Sequence, residues 1–207
     1  DFHPDALALV ASEVPSVTLK VRRDPVVAQL FSSILTDSEE PARVLRIMTE
    51  TGLLGKYIPA FGSIVGRIDY GLYRRFTLDE HVLRCLSLLS KIHRGELQED
   101  HPIATHIVRN TPNPLLYYFG VLLHEARWSL KEPSVDACEK LVIRVTKRLG
   151  LSEEEAAQAG WASARYLLLV RTAERRNLTE AHAISEFAQS VGSRQRLDLM
   201  LVISVCH

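Results

Sequence analysis

An all-α fold is predicted for this chain, and three observations predict it. Apolar residues recur at helical spacing almost throughout, and no stretch alternates apolar with polar as a half-buried strand does. Ser, Thr or Asp stands just ahead of several apolar-periodic runs, where it can cap a helix start. Glycines stand where such runs stop.

Taken in order, residues 7–14 read as a first short helix and 25–35 as a second, with Asp24 placed to cap it. Asp37 and Glu40 precede Pro41, which reads as the start of a third helix. Val44, Leu45, Ile47 and Met48 supply its apolar set and Gly52 its stop. Residues 53–76 hold four glycines and Pro59, and read as an ordered, mostly irregular connection. Thr77-Leu-Asp-Glu80 has the pattern of a capping box, in which hydroxyl and carboxylate satisfy free backbone N–H groups. The helix it opens carries Val82, Leu86 and Leu89 on one face, with His81, Cys85 and Leu88 beside it.

Residues 114–127 are apolar nearly all round, which predicts a central, buried helix. Residues 135–149 are amphipathic and stop at Gly150. Ser152-Glu-Glu-Glu155 is a second capping box, opening a long helix through about Arg171. Residues 180–191 end at Gly192, and Ser193 caps a last helix, RQRLDLMLVISVCH. No long-period repeat is present, which excludes a solenoid.

A chain of 207 residues suits one domain, or one domain with an appended subdomain. Lys+Arg and Asp+Glu balance at 25 each, so composition gives no electrostatic case for nucleic-acid binding. The longest apolar runs are too short to span a bilayer, and no membrane association is expected. The opening DFHPDALALV has neither a basic leader nor an initiator Met, so a piece of a longer, cytoplasmic protein is expected. Cys85, Cys138 and Cys206 form no CxxC pair and read as buried or incidental thiols in a reducing compartment.

One polar feature breaks the greasiest stretch. In NPLLYYFGVLLHEARWS, His124 and Glu125 emerge side by side from a run of apolar residues. Such a pair is either part of a metal site or the polar end of a core helix. It is not a zincin motif, because Trp128 stands where that motif needs its second His.

From Phe31 to His207 the chain resembles one family. The landmarks are PARVLRIMTETGLLGKYIPAF, IVGRIDYGLYRRFTLDEHVLR, GELQEDHPIATHI, LLHEARWS, RLGLSEEE, TAERRNLTEAHAISEFA and RLDLMLVISV. They look like the central domain of the bifunctional PII uridylyltransferase/uridylyl-removing enzyme. The resemblance implies a helical HD-superfamily bundle, a metal-dependent phosphohydrolase that removes UMP from the PII nitrogen-signalling protein. It implies an N-terminal helical linker segment at 1–55 and the HD-like domain at 56–207. The family's nucleotidyltransferase and ACT domains are not in this sequence.

The family's metal ligands are a His, a later His-Asp pair and a final Asp. FTLDEH resembles a YTVDEH segment and places His81 at the first position. LLHEARWS resembles LFHDIAKG, placing His124 at the pair's His and Glu125 at its Asp. LVISVCH resembles LLTVADI and puts His207 at the last. The implied metal set is His81, His124, Glu125 and His207, with Glu125 also the catalytic partner of a water. Three imidazoles and one carboxylate suit zinc or manganese better than magnesium. One such ion is the expected cofactor, and loss of metal altogether is the alternative.

Other positions depart from the pattern. Ser134, in EPSV, stands where a GDHS-like segment has its His. Trp128 replaces a Lys. Arg165 and Tyr166, in ASARYLLLV, replace a His or His pair, while Arg74 replaces another His and Asp69 a Gln. The missing imidazoles at Ser134 and Tyr166 imply that a second ion is lost. A catalytically degenerate domain follows, serving as a structural or regulatory module for a PII-type partner or small-molecule effectors. The alternative is a rewired mononuclear phosphohydrolase acting on uridylylated PII or another phosphodiester. Arg67, Arg74 and Arg75 read either as an anion patch or as solvated charge.

Overall fold

The computed structural model describes residues 3–68, 76–175 and 181–207, and every regular element in them is helical. An N-terminal group comprises α1 (Pro4–Glu13), α2 (Leu19–Arg22), α3 (Pro25–Thr36), α4 (Pro41–Glu50), α5 (Leu53–Tyr57) and α6 (Pro59–Gly62). The main bundle follows with α7 (Leu78–Arg94), α8 (Pro102–Arg109), α9 (Leu115–Leu123) and α10 (Val135–Arg148). It closes with α11 (Glu153–Arg165), α12 (Leu167–Arg175), α13 (Ala181–Val191) and α14 (Arg194–Cys206).

Helix α9 is the hub. Every residue from Leu116 to Leu123 is buried, and the helix packs against α3, α6, α7, α11 and α14. A helix apolar on all sides has no other stable place. No helix among the described residues is long and apolar enough to cross a membrane.

Local chemistry sets several ends as the sequence predicts. Asp24 accepts the Val26 N–H at 2.8 Å, opening α3. The Ser152 box forms in full: Ser152 Oγ accepts the Glu155 N–H at 3.2 Å, and Glu155 Oε2 accepts the Ser152 N–H at 2.9 Å. Ser193 Oγ accepts the Arg196 N–H at 3.2 Å, opening α14. Gly150, at φ 104°, takes the left-handed turn that ends α10.

The structure corrects four local expectations. The Thr77 box does not form: Thr77 sits at the N-cap position, but its hydroxyl makes no capping bond. Glu80 instead receives the Arg46 guanidinium at 3.0 Å and Arg84 at 3.0 Å, while Asp79 accepts the Gly66 N–H at 2.9 Å. Charge-assisted tertiary bonds outcompete a local cap. Second, Leu53–Tyr57 and Pro59–Gly62 are helical rather than irregular. Gly55 and Gly62 are there because α5 and α6 touch backbone to backbone: a Cβ on Gly62 would lie 2.8 Å from the Gly55 carbonyl oxygen. Third, the central helix stops at Leu123 and is followed by a 3-10 turn at Ala126–Ser129, closed by Trp128 N–H to the Glu125 carbonyl at 3.1 Å. Fourth, the long helix expected to reach Arg171 breaks at Tyr166, whose carbonyl accepts the Ser204 hydroxyl of α14 at 2.9 Å. That bond satisfies a group the break would otherwise leave buried and unpaired. Short helices α2 and α8 were not anticipated.

Helices α10 and α11 make the closest pairing, and Gly160 permits it. A Cβ there would fall 2.6 Å from Ile143 Cγ1 and 2.9 Å from the Glu139 carbonyl oxygen. Gly160→Ala is therefore expected to destabilise by about 1–3 kcal/mol through overpacking, despite the roughly 1 kcal/mol that alanine gains in a helix. Urea denaturation checks this; an unchanged or raised midpoint would show that the two helices slide apart freely.

Candidate metal centre

Three chain-distant helices deliver the site. His81 lies in the second turn of α7, His124 follows α9, and His207 follows α14. The end of α9 at Leu123 turns the chain so that Glu125 points back toward the same spot. The four residues expected from the sequence are brought together: one ligand atom from each lies within 4.8 Å of all the others.

The edges of this cluster are short. His81 Nε2 and His207 Nδ1 are 3.1 Å apart, and His207 Nδ1 and His124 Nε2 are 3.4 Å apart. Glu125 Oε1 lies 3.7 Å from His124 Nε2 and 4.0 Å from His207 Nδ1. Ligands at about 2.0–2.2 Å from one ion in a tetrahedron stand roughly 3.3–3.6 Å from one another. The two nitrogen–nitrogen edges and the nearer carboxylate edge need only small shifts to meet that.

The tautomer of His124 also fits. Its Nδ1 lies 2.6 Å from the Val121 carbonyl, which can only accept, so Nδ1 carries the proton. In the neutral ring Nε2 is then left with its lone pair facing the cluster. A metal-binding imidazole is held in this way, its far nitrogen donating to a carbonyl or carboxylate. The donor set can hold a borderline divalent ion.

Burial makes the carboxylate demanding. Glu125 is 0% exposed and His124 1%. A buried carboxylate costs several kcal/mol unless it is bonded and paired. Trp128 Nε1–H donates to its Oε2 at 3.1 Å, Tyr166 O–H donates to Oε1 at 3.4 Å, and Arg127 Nε lies 3.6 Å from Oε2. Trp128 and Tyr166 are two of the positions that depart from the resembled pattern. Read from sequence they are departures, from a Lys and from an imidazole; in the fold they hold Glu125. The Tyr166 ring also meets those of His124 and His207 edge-on, at centroid distances of 5.1 and 4.8 Å.

Two of the remaining departures, Ser134 and Arg165, take up structural roles. Ser134 Oγ accepts the Ala137 N–H at 3.1 Å and opens α10. Arg165 pairs with Glu139 at 2.5 Å and lies over the Trp161 ring. Arg67 donates to the Trp128 carbonyl and lies 5.0 Å from that ring's centroid, so it buttresses Trp128. Arg74, its neighbour Arg75 and Asp69 lie outside the described residues.

Sequence reasoning placed Cys85 beside His81 but gave it no partner. Its Sγ lies 3.5 Å from His81 Nε2, one helical turn on. All three cysteines are buried. It missed Arg127, Trp128 and Tyr166 as partners of Glu125. The signal lay in the i+3 spacing from Glu125 to Trp128; nothing local could have linked Tyr166.

Residues 1–57 match the family model of the uridylyltransferase GlnD third domain. The matched part runs through α5 and takes in residues ahead of Phe31, where the resemblance described above begins. It shares PARVLRIMTETGLLGKY with that resemblance. The N-terminal part of the chain is thus similar to a domain of PII-uridylyltransferase-type proteins.

Proposed function

We propose that this chain is an HD-like domain of a PII-uridylyltransferase-like protein of nitrogen signalling in the cytoplasm. In it His81, His124, Glu125 and His207 hold a single transition-metal ion as a structural brace, in a module that regulates rather than hydrolyses. The carrying observation is the cluster itself, four ligand atoms within 4.8 Å of one another on segments 43 or more residues apart, apart from the adjacent His124 and Glu125.

Two features favour a brace over a hydrolytic centre. Four protein donors complete a tetrahedral set, as in structural sites, whereas catalytic sites keep a position for water or substrate. Both oxygens of Glu125 already accept a hydrogen bond, from Trp128 and Tyr166, so the carboxylate is held in one orientation with its remaining lone pairs turned to a single ion. An ion here supplies positive charge that satisfies Glu125 and ties α7, α9 and α14 together.

A second reading, a mononuclear phosphodiester hydrolase acting on uridylylated PII, is favoured by one observation. The His207 side chain is 18% exposed, so one flank of the cluster reaches solvent. Elemental analysis of protein purified without chelator is expected to find one zinc or manganese ion per chain in wild type and none in His124→Ala. Assays with Zn²⁺, Mn²⁺, Co²⁺ or Mg²⁺ on uridylylated PII and bis(p-nitrophenyl) phosphate are expected to show no turnover. Turnover that His124→Ala abolishes would replace the first reading with the second; absence of any bound ion in wild type would sink both.

A further inference from the structure

A large cleft lies away from the metal centre. It has a volume of about 980 Å³ and opens between α2–α3 on one side and the C-terminal half of α10 on the other. Leu115 lines it at the start of α9, and His124 follows the far end of that nine-residue helix. At about 1.5 Å per residue the two sites are roughly 13 Å apart along the hub helix.

Its lining is one-sided in charge. Arg22, Arg23, Arg144, Lys147 and Arg148 face it, and no Asp or Glu does. The chain as a whole balances 25 cations against 25 anions, so five cations lining one concavity with no carboxylate among the lining residues are a local concentration of positive potential. Two of the five are already engaged. Lys147 pairs with Glu153 at the rim, and Arg148 donates to the carbonyls of Arg22 and Tyr57. Arg22, Arg23 and Arg144 pair with no carboxylate among the described residues, and Arg22 Nε is a buried donor without a hydrogen-bond partner.

Burying such a donor costs about 1–3 kcal/mol when it is left unsatisfied. Arg148 sits close enough to Arg22 that burial and this like charge together pull its pKa below the ordinary arginine value. An anion between the two lips offsets the like charge of Arg22 and Arg148. The floor is apolar, built from Ala28, Leu141, Val145 and Leu149 with Pro59 and Ala60. A cleft with an apolar floor and arginine forks on two sides matches a ligand with a flat apolar part and a multiply charged phosphate chain.

We propose that this cleft is a binding site for a nucleoside polyphosphate, with Arg22, Arg23 and Arg144 on the phosphates and the base on the apolar floor. It is separate from the metal centre and does not rest on the reading of that centre. Isothermal titration calorimetry with ADP and with pyrophosphate, in excess EDTA, tests it on the full chain. ADP is expected to bind at sub-millimolar concentration and more tightly than pyrophosphate. Arg23 and Arg144 are both exposed, so R23Q/R144Q is expected to keep the wild-type melting temperature while weakening ADP at least tenfold. R22K keeps the charge but removes the buried Nε donor, and is expected to weaken ADP by a smaller factor. His124→Ala is expected to leave ADP binding unchanged. No heat with millimolar ADP, or unchanged affinity in a folded R23Q/R144Q variant, overturns the site. Equal affinity for ADP and pyrophosphate overturns its assignment to a nucleotide, and loss of binding in His124→Ala overturns its separation from the metal centre.

Discussion

Chelation is expected to lower the thermal midpoint of the wild-type chain substantially and to leave that of His124→Ala where it is. An ion that binds only the folded state stabilises it by about 4 kcal/mol when free metal stands a thousandfold above its dissociation constant. For a chain of this size each kcal/mol moves the midpoint by about 2–4 °C, so the expected fall is on the order of 10 °C. His124 is the informative position because its ring is already set for the task. The Val121 carbonyl fixes the proton on Nδ1 and leaves Nε2 for the cluster, 3.4 Å from His207 Nδ1. Without an ion, His207 Nδ1 faces nitrogens of two other rings at 3.1 and 3.4 Å, and one N–H cannot serve both well.

The measurement is thermal unfolding followed by circular dichroism, with and without EDTA, then with excess Zn²⁺ or Mg²⁺ returned. Zinc is expected to restore the wild-type midpoint and magnesium is not, since three of the four donors are imidazoles. A wild-type midpoint indifferent to EDTA, or an equal fall in His124→Ala, would show that the cluster holds no ion of consequence to the fold.

Legibility in the sequence followed the range of the interaction concerned. The helical class, the buried character of α9 and the caps at Asp24, Ser152 and Ser193 are local properties, written within one or two turns of chain. The convergence of His81, His124, Glu125 and His207 was legible only through resemblance, because periodicity says nothing about which helix ends meet. What failed was decided by tertiary partners. Thr77 lost its box because Arg46, more than thirty residues away, claims Glu80. The predicted run through Tyr166 breaks because α14 offers a hydroxyl to the freed carbonyl. Trp128 and Tyr166 looked like erasures because a sequence comparison scores the residue that is absent. The structure scores the bond that is present.

Glu125→Ala is expected to be the most damaging single change at the centre even with the metal removed. In chelator the ion makes no contribution, so the loss reads the protein's own shell. Removing one member of a buried charge pair costs about 3–5 kcal/mol, mostly from partners left stranded. Here those partners are the Trp128 N–H, the Tyr166 O–H and the Arg127 guanidinium. The Arg127 side chain is 31% exposed and can turn toward water, which places the expected loss near the lower end, about 3 kcal/mol. Glu125→Gln keeps the shape and one acceptor and is expected to lose less. Glu125→Asp is the sharper variant, since it installs the residue the resembled family carries. It shortens the side chain by one methylene, and a carboxylate drawn back by that much cannot reach both Trp128 and Tyr166. A loss of about 1–2 kcal/mol follows if both bonds go. Urea midpoints in EDTA are thus expected to fall in the order wild type, then Gln and Asp together, then Ala. If Asp proved as stable as Glu, Trp128 and Tyr166 would be bystanders and the departures at those positions would stand as plain decay. The expected order instead means that the two substitutions and the longer acid form one interlocking set, so restoring the family's aspartate alone would weaken the centre.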